Sequence, residues 1–216
     1  MPLRVVDLTK PLGPETRVYP GDPPVRVKTI STLDSGGFYN REICMSEHAG
    51  THVDAPAHMV AGGQAIDSIE ASRLVAPALI LDVSNACGPI TWREIILSTR
   101  RRAAEPPGQG WFLVLKTGGG CRSVAVDLAE AMVRLGMQGL GVDAMSPDEE
   151  PYPVHRILLS NGLLIIENMD IPSWLDGRTV TLIVAPLKIS GGSGAPARVL
   201  AILDGGRLGK TVQGLE

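Results

Sequence analysis

The sequence predicts a mixed α/β domain whose sheet carries its helices on the outer side. Segments with strand character outnumber helical ones about three to one, and several strands are unbroken apolar runs, which argues for burial on both faces. No regular alternation of strand and helix runs through the chain, so the sheet is expected to be mixed. The first strands, Leu3–Leu8, Val25–Ile30 and Phe38–Ser46, are short runs set off by Gly and Pro punctuation. Ser68–Val75 reads as a short helix. Ala78–Val83 (Ala-Leu-Ile-Leu-Asp-Val) is the plainest two-sided buried strand. Thr91–Ala103 reads as a helix with Thr91 as N-cap and Glu94 three residues later, as in a capping box. Strand Trp111–Lys116 and helix Ser123–Leu135 follow, with Ser123 as N-cap. Strands Leu140–Asp143, Leu163–Glu167, Thr179–Val184 and Arg198–Leu203 complete the sheet, and Ile157–Gly162 forms a short helix with a Gly stop.

Length and composition bound the function. The 216 residues suit one domain, 1–216, with a sizeable core. A hydrophobic fraction of 44% and a charged fraction of 20% describe an ordinary globular protein. A formal charge of -3 gives no electrostatic footprint for nucleic acid. No apolar run reaches the roughly 20 residues of a membrane span, and the start of the chain lacks a signal peptide's apolar region. Cys44, Cys87 and Cys121 are widely spaced and odd in number, so they read as reduced thiols, mostly buried, in a cytoplasmic protein. Cys44 shares the parity of the histidine cluster described next and is expected to be a core residue.

The stretch from Glu47 to His58 holds three of the four histidines. His48, His52, Asp54 and His58 all fall on even positions, so an extended strand would point them to one side. A helix would turn Asp54 away, and Gly50 and Pro56 disfavour it. Imidazoles converging with a carboxylate are ligands for a borderline metal such as Zn, or Mn and Fe. A second cluster sits downstream. Glu167 ends the apolar run Leu163-Leu164-Ile165-Ile166, where an unpaired charge would be costly, and the helical turn before it could return His155 to the same point.

His48-Ala49-Gly50-Thr51-His52-Val53-Asp54-Ala55-Pro56-Ala57-His58 resembles the signature of the "putative cyclase" family, which includes bacterial kynurenine formamidase (arylformamidase) and isatin hydrolase. The resemblance runs nearly end to end, through Asp7-Leu8-Thr9, Tyr19-Pro20-Gly21-Asp22, the segment 141–148 and the Gly-rich loop within 186–198. It implies a swivelling β/β/α-type three-layer domain with a mixed sheet or barrel core and outer helices. It implies a homo-oligomer, dimer or tetramer, and one or two divalent metals, Zn or Mn. By match to the family, His48, His52 and Asp54 would hold the first metal. Asp54 and Glu167 would bridge to a second, completed by His155, and His58 would shuttle protons.

The chemistry follows from these residue types. A divalent metal brings the pKa of bound water from 15.7 towards ~7. His58 is the residue type that titrates near working pH. The expected reaction is attack of metal-bound hydroxide on an amide or formamide carbonyl with C–N cleavage. The resemblance implies N-formylkynurenine, hydrolysed to kynurenine and formate in tryptophan catabolism, as substrate. Tyr19 stands where kynurenine formamidases typically carry a tryptophan, which leaves a cyclic amide such as isatin, or another small amide or ester, as the alternative. Tyr19 and Phe38, with Tyr39, are expected to line the pocket, and Thr51 to bond either the backbone or a ligand. A reading from another class, a non-catalytic module with a structural Zn, is disfavoured because such sites are usually Cys-rich. Thr117-Gly118-Gly119-Gly120 lacks the ending of a phosphate loop, Arg100–Arg102 suits a helix C-terminus, and no Gly-x-Ser-x-Gly elbow is present.

Overall fold

The computed structural model describes residues 3–119 and 121–203. Ten strands are β1 (Arg4–Asp7), β2 (Arg26–Ser31), β3 (Asn40–Cys44), β4 (His52–Asp54), β5 (Val75–Asp82), β6 (Phe112–Lys116), β7 (Gly139–Val142), β8 (Leu164–Glu167), β9 (Thr179–Pro186) and β10 (Gly194–Leu203). Four helices are α1 (Leu33–Gly36), α2 (Trp92–Arg101), α3 (Val126–Arg134) and α4 (Pro153–Ser160). The main sheet runs β1-β10-β4-β8-β7-β6-β5-β9, and β9 also pairs with β10. That last pairing closes a seven-stranded barrel, β10-β4-β8-β7-β6-β5-β9. Strand β1 lies beyond β4 on the same edge of β10, pairing with residues 200–203 while β4 pairs with 194–196.

Strands β5 to β8 run parallel. Helices α2, α3 and α4 make the three crossovers between them. This is the mixed α/β architecture expected from the apolar runs, and alternation along β5 shows why those runs are continuous. Ala78 and Ile80 join the barrel interior with Val53, Phe112, Val114, Ile166 and Val199. Leu79 and Leu81 face outward into a second core with Leu113, Leu115, Ile165 and the helical Ile95, Leu128, Met132, Val154 and Leu158. Burying a side chain such as Phe112 completely contributes on the order of 1.5–3 kcal/mol.

Several local expectations are corrected. Thr91 does cap α2, accepting from the Glu94 N–H at 3.3 Å. Glu94 gives no reciprocal cap, because its carboxylate takes two bonds of 2.7 Å from the guanidinium of buried Arg122. Helix α3 starts later than Ser123, with Ala125 at its N-cap, since Val124 and Ala125 bond across to Pro147 and Ile90. The segment 68–75 is no α-helix. It holds a 3-10 turn at Ala71–Leu74, and Val75 already pairs with Ile183 of β9. Helix α4 begins at Pro153 and so includes His155. The three cysteines are exposed, not buried; Cys44 lies on the β2–β3 hairpin, a separate two-stranded sheet whose residues are exposed or half-buried.

Candidate metal centre

Only His52–Asp54 of the histidine-rich stretch is a strand. Val53 faces the barrel interior, which turns His52 and Asp54 to the outside of the wall. On the neighbouring strand β8, Glu167 is the register partner of His52 and lies on the same side. His155 reaches this surface from the buried face of α4. His48 sits in a turn before β4, and His58 ends a 3-10 turn at Pro56–His58. The four even-numbered residues therefore do converge, but through two turns around a three-residue strand and not through one long strand. Gly50, at φ 67, makes the first turn possible; a Cβ there would also lie 2.9 Å from Leu12 Cδ1.

Hydrogen bonds fix which ring nitrogens face the centre. The Gly50 carbonyl can only accept, so His52 Nδ1 donates to it at 2.8 Å. His52 Nε2 is left facing Asp54 Oδ1 at 3.3 Å and Glu167 Oε2 at 3.4 Å. His155 Nδ1 donates to Asp148 Oδ1 at 2.5 Å. Its Nε2 faces Glu167 Oε1 at 3.2 Å and Asp54 Oδ2 at 3.7 Å. Those two carboxylate oxygens are buried without a hydrogen-bond partner. Two acidic groups and two imidazole Nε2 atoms aimed at one point form a nitrogen and carboxylate donor set that fits a borderline divalent metal.

The ligand atoms gather in two overlapping sets, His48–Asp54–His58 and His52–Asp54–Glu167. Asp54 is common to both. The division differs from the expected one, because His48 falls with His58 and not with His52. The His58 ring lies 4.2 Å from that of His48 and 6.1 Å from that of His155, close enough to serve as a ligand or a proton carrier.

Charge in the centre is polarised by the same contacts. Burial opposes a charged ring at His155, but its hydrogen bond to Asp148 and the facing Glu167 and Asp54 carboxylates outweigh it and raise its pKa to about 10. Burial likewise opposes charge on His52, and Asp54 and Glu167 outweigh it, holding its pKa well above the usual value. Burial would raise the Asp54 carboxyl, yet the flanking His48 and His52 hold it well below the carboxylate range. His58 is shifted the other way: burial lowers its pKa and outweighs the Asp54 carboxylate, which would raise it.

A cavity of about 260 Å³ opens over these groups, lined also by Tyr19, Asp22, Met59, Met145, Tyr152 and Asn168. Tyr19 stands at its wall as expected, its hydroxyl 2.9 Å from that of Tyr152, and this bond raises the Tyr19 pKa to about 12. Phe38 is a correction. It lies at the tip of the β2–β3 hairpin, 58% exposed and outside the lining, as is Tyr39. Thr51 bonds the backbone, donating to the Asn168 carbonyl at 2.7 Å. Sequence reasoning assigned no role to Asp148, although it stands seven positions before His155, orients that ring and accepts the Val154 N–H of the first turn of α4 at 2.6 Å. Its place in the 141–148 motif was the available signal. The Thr117–Gly119 turn wraps the Asp143 carboxylate with backbone N–H groups, and Gly120 lies outside the described residues.

The family model described as "putative cyclase" matches residues 6–149. A kynurenine formamidase from Salinibacter ruber is 30% identical over 213 residues, covering 92% of this chain and 97% of the relative. An isatin hydrolase from Roseibium aggregatum is 30% identical over 246 residues, covering 93% and 92%. A solved structure described as a potential metal-dependent hydrolase with cyclase activity superposes with a TM-score of 0.77 at 30% identity, covering 93% of this chain and 98% of the other.

Proposed function

The chain belongs to the "putative cyclase" family, and on that premise we propose that it is a metal-dependent hydrolase cleaving a C–N amide or formamide bond of a small aromatic substrate. One observation carries the reading. Asp54 Oδ2 and Glu167 Oε1 are buried and unpartnered in front of His155 Nε2, an arrangement that only a cation completes at low cost. We assign His52, Asp54, Glu167, His155 and His48 as ligands and Zn as the metal, in one or two ions. The same nitrogen and carboxylate donors would also accept Mn. A bound divalent cation supplies a Lewis acid and water of pKa near ~7.

The chain's own residues supply the rest. His58, half-buried with a lowered pKa, holds a neutral ring that can take a proton from water and return it to the leaving nitrogen. Tyr19 offers an aromatic face at the wall, and the modest cavity suits a one- or two-ring substrate. N-formylkynurenine is the first candidate, supported by the kynurenine formamidase relative. Isatin is the second, supported by the isatin hydrolase relative and by Tyr19 standing where the resemblance to kynurenine formamidase implies a tryptophan.

We take residues 1–216 as one catalytic domain and infer a cytoplasmic homo-oligomer. Three exposed free thiols suit a reducing compartment. The β2–β3 hairpin leaves Ile30, Phe38, Tyr39 and Ile43 exposed, and an isolated two-stranded hairpin is marginal in water. Among the described residues no helix is long and apolar enough to cross a membrane. Metal analysis of the purified protein joined to a hydrolysis panel of aryl formamides, isatins and small lactams tests the proposal. Turnover of N-formylkynurenine by metal-loaded protein is expected. Efficient isatin cleavage with every linear formamide ignored would reverse the two substrates, and no C–N hydrolysis at all would overturn the assignment.

A further inference from the structure

We propose that the Gly-rich loop at 191–194 is a positioning device for His48, in which Ser193 and Glu47 decide which ring nitrogen is presented to the metal. The proposal rests on the reading of the cluster as a metal centre. His48 bonds at both nitrogens: Nε2 lies 2.9 Å from Ser193 Oγ and Nδ1 lies 2.8 Å from Asp54 Oδ1. Ser193 in turn is held by Glu47, whose Oε1 accepts the Ser193 backbone N–H at 3.0 Å and also its hydroxyl. A carboxylate only accepts, and a hydroxyl has one hydrogen to give. The Ser193 hydrogen therefore goes to Glu47, and the Ser193 oxygen is left to accept from His48. Nε2 must carry a hydrogen, held by Ser193, which leaves Nδ1, facing the Asp54 carboxylate, as the atom that can exchange its own hydrogen for a metal. Nδ1 and Asp54 Oδ1 then form a pair that a shared cation joins, consistent with the ligand set His48–Asp54–His58.

The loop is shaped for this contact. A Cβ on Gly194 would lie 2.5 Å from His48 Cε1, 2.9 Å from its Nδ1 and 2.7 Å from the Val53 carbonyl oxygen. A Cβ on Gly192 would lie 2.9 Å from Glu47 Oε2, and Gly191 adopts φ 66. Glycine at these positions lets the backbone lie directly on the imidazole and the carboxylate. Two further bonds tie the loop down: the Ala55 N–H donates to the Ser193 carbonyl at 2.9 Å, and the Ile66 N–H donates to the Gly192 carbonyl at 2.9 Å. Neither Ser193 nor Glu47 lines the cavity, so they are positioning residues.

The test measures Zn²⁺ and Co²⁺ dissociation constants by chelator competition, with the visible spectrum of the Co²⁺ form, for the full chain and for Ser193→Ala, Glu47→Ala and the double variant. Each single variant is expected to weaken metal binding about 10–100-fold, the usual effect of losing an orienting partner. The double variant should lose little more than either, because both act through one ring. In metal-free wild-type protein, ¹⁵N NMR of His48 should show hydrogen on Nε2. Glu47 is partly exposed, so Glu47→Ala decides the matter if Ser193→Ala does not fold. Wild-type affinity and an unchanged Co²⁺ spectrum in the single variants, or fully additive losses, would overturn the proposal. A wild-type protein that binds no metal would instead sink the metal-centre reading beneath it.

Discussion

Replacing Asp148 with Asn exchanges one carboxylate oxygen for an NH₂ and should invert the histidine it holds. Asp148 accepts at both oxygens, from the Val154 N–H at 2.6 Å and from His155 Nδ1 at 2.5 Å. Asn has one oxygen, so one of the two donors must now face an NH₂. Setting the buried Val154 N–H against it leaves a donor unsatisfied and costs ~1–3 kcal/mol. The imidazole has a way out that the backbone lacks: it can give up the hydrogen on Nδ1 and keep the one on Nε2, which faces Glu167 Oε1 3.2 Å away. The ring therefore yields. Nε2, the atom that should face the metal, then carries a hydrogen. Restoring the ligating tautomer would cost the same ~1–3 kcal/mol, or about 5–150-fold in metal affinity. The change is nearly isosteric, so metal-free Asp148→Asn should keep the fold, with a Tm below wild type by the lost ion pair to His155. Chelator-competition titration and circular dichroism on the same samples read the two quantities separately. Wild-type metal affinity in a folded Asp148→Asn would refute the tautomer argument.

Three further outcomes follow from the same geometry. Asp54→Ala should strip more metal than His52→Ala, because Asp54 belongs to both ligand sets; equal and full metal content in the two variants, measured by elemental analysis, would remove them from the centre. His58→Ala should keep most of its metal and lose ~10²–10⁴ in kcat if the ring carries protons, whereas stoichiometric loss of one ion would make it a ligand of the His48 set. The pH dependence of the metal-free protein has a definite sign. His155 has its pKa raised from 6.5 to about 10 in the folded state. Its contribution is thus complete below pH 6.5 and is lost as pH rises through about 10, so metal-free Tm should fall across that window. Metal must displace those protons, so its affinity should rise over the same range; a flat or rising metal-free Tm would contradict the ion pairs that shift His155.

The sequence was most readable where periodicity and chemistry coincide. Ala78–Val83 reads as buried on both faces because the barrel interior and the helical layer both claim its side chains, at Ile80 and Leu79 respectively. Closure of the sheet was not readable, since the β9–β10 pairing joins strands by register and not by composition. The parity of His48, His52, Asp54 and His58 pointed to convergence, but the mechanism was different. Two turns bring His48 and His58 onto the side that β4 gives to His52 and Asp54. Asp148 and Ser193 escaped notice because an orienting residue has no spacing of its own; each is defined by a contact made across the fold, Ser193 to a histidine 145 positions away. Phe38 failed for a related reason. Proximity in sequence to the ligands suggested the pocket, while the hairpin carries it outward, away from the cavity of its own chain.

The most direct test of the central claim is removal and return of the metal. Protein stripped with a strong chelator should keep its secondary structure, because the barrel and helical cores are built without the centre. Its hydrolysis of the best substrate in the panel should fall to background and return in proportion to added Zn²⁺ or Mn²⁺, reaching a maximum at one or two ions per chain. Undiminished hydrolysis by protein shown to hold no metal would contradict the account. So would collapse of the fold on stripping with no activity in any form, which would make the centre a structural one.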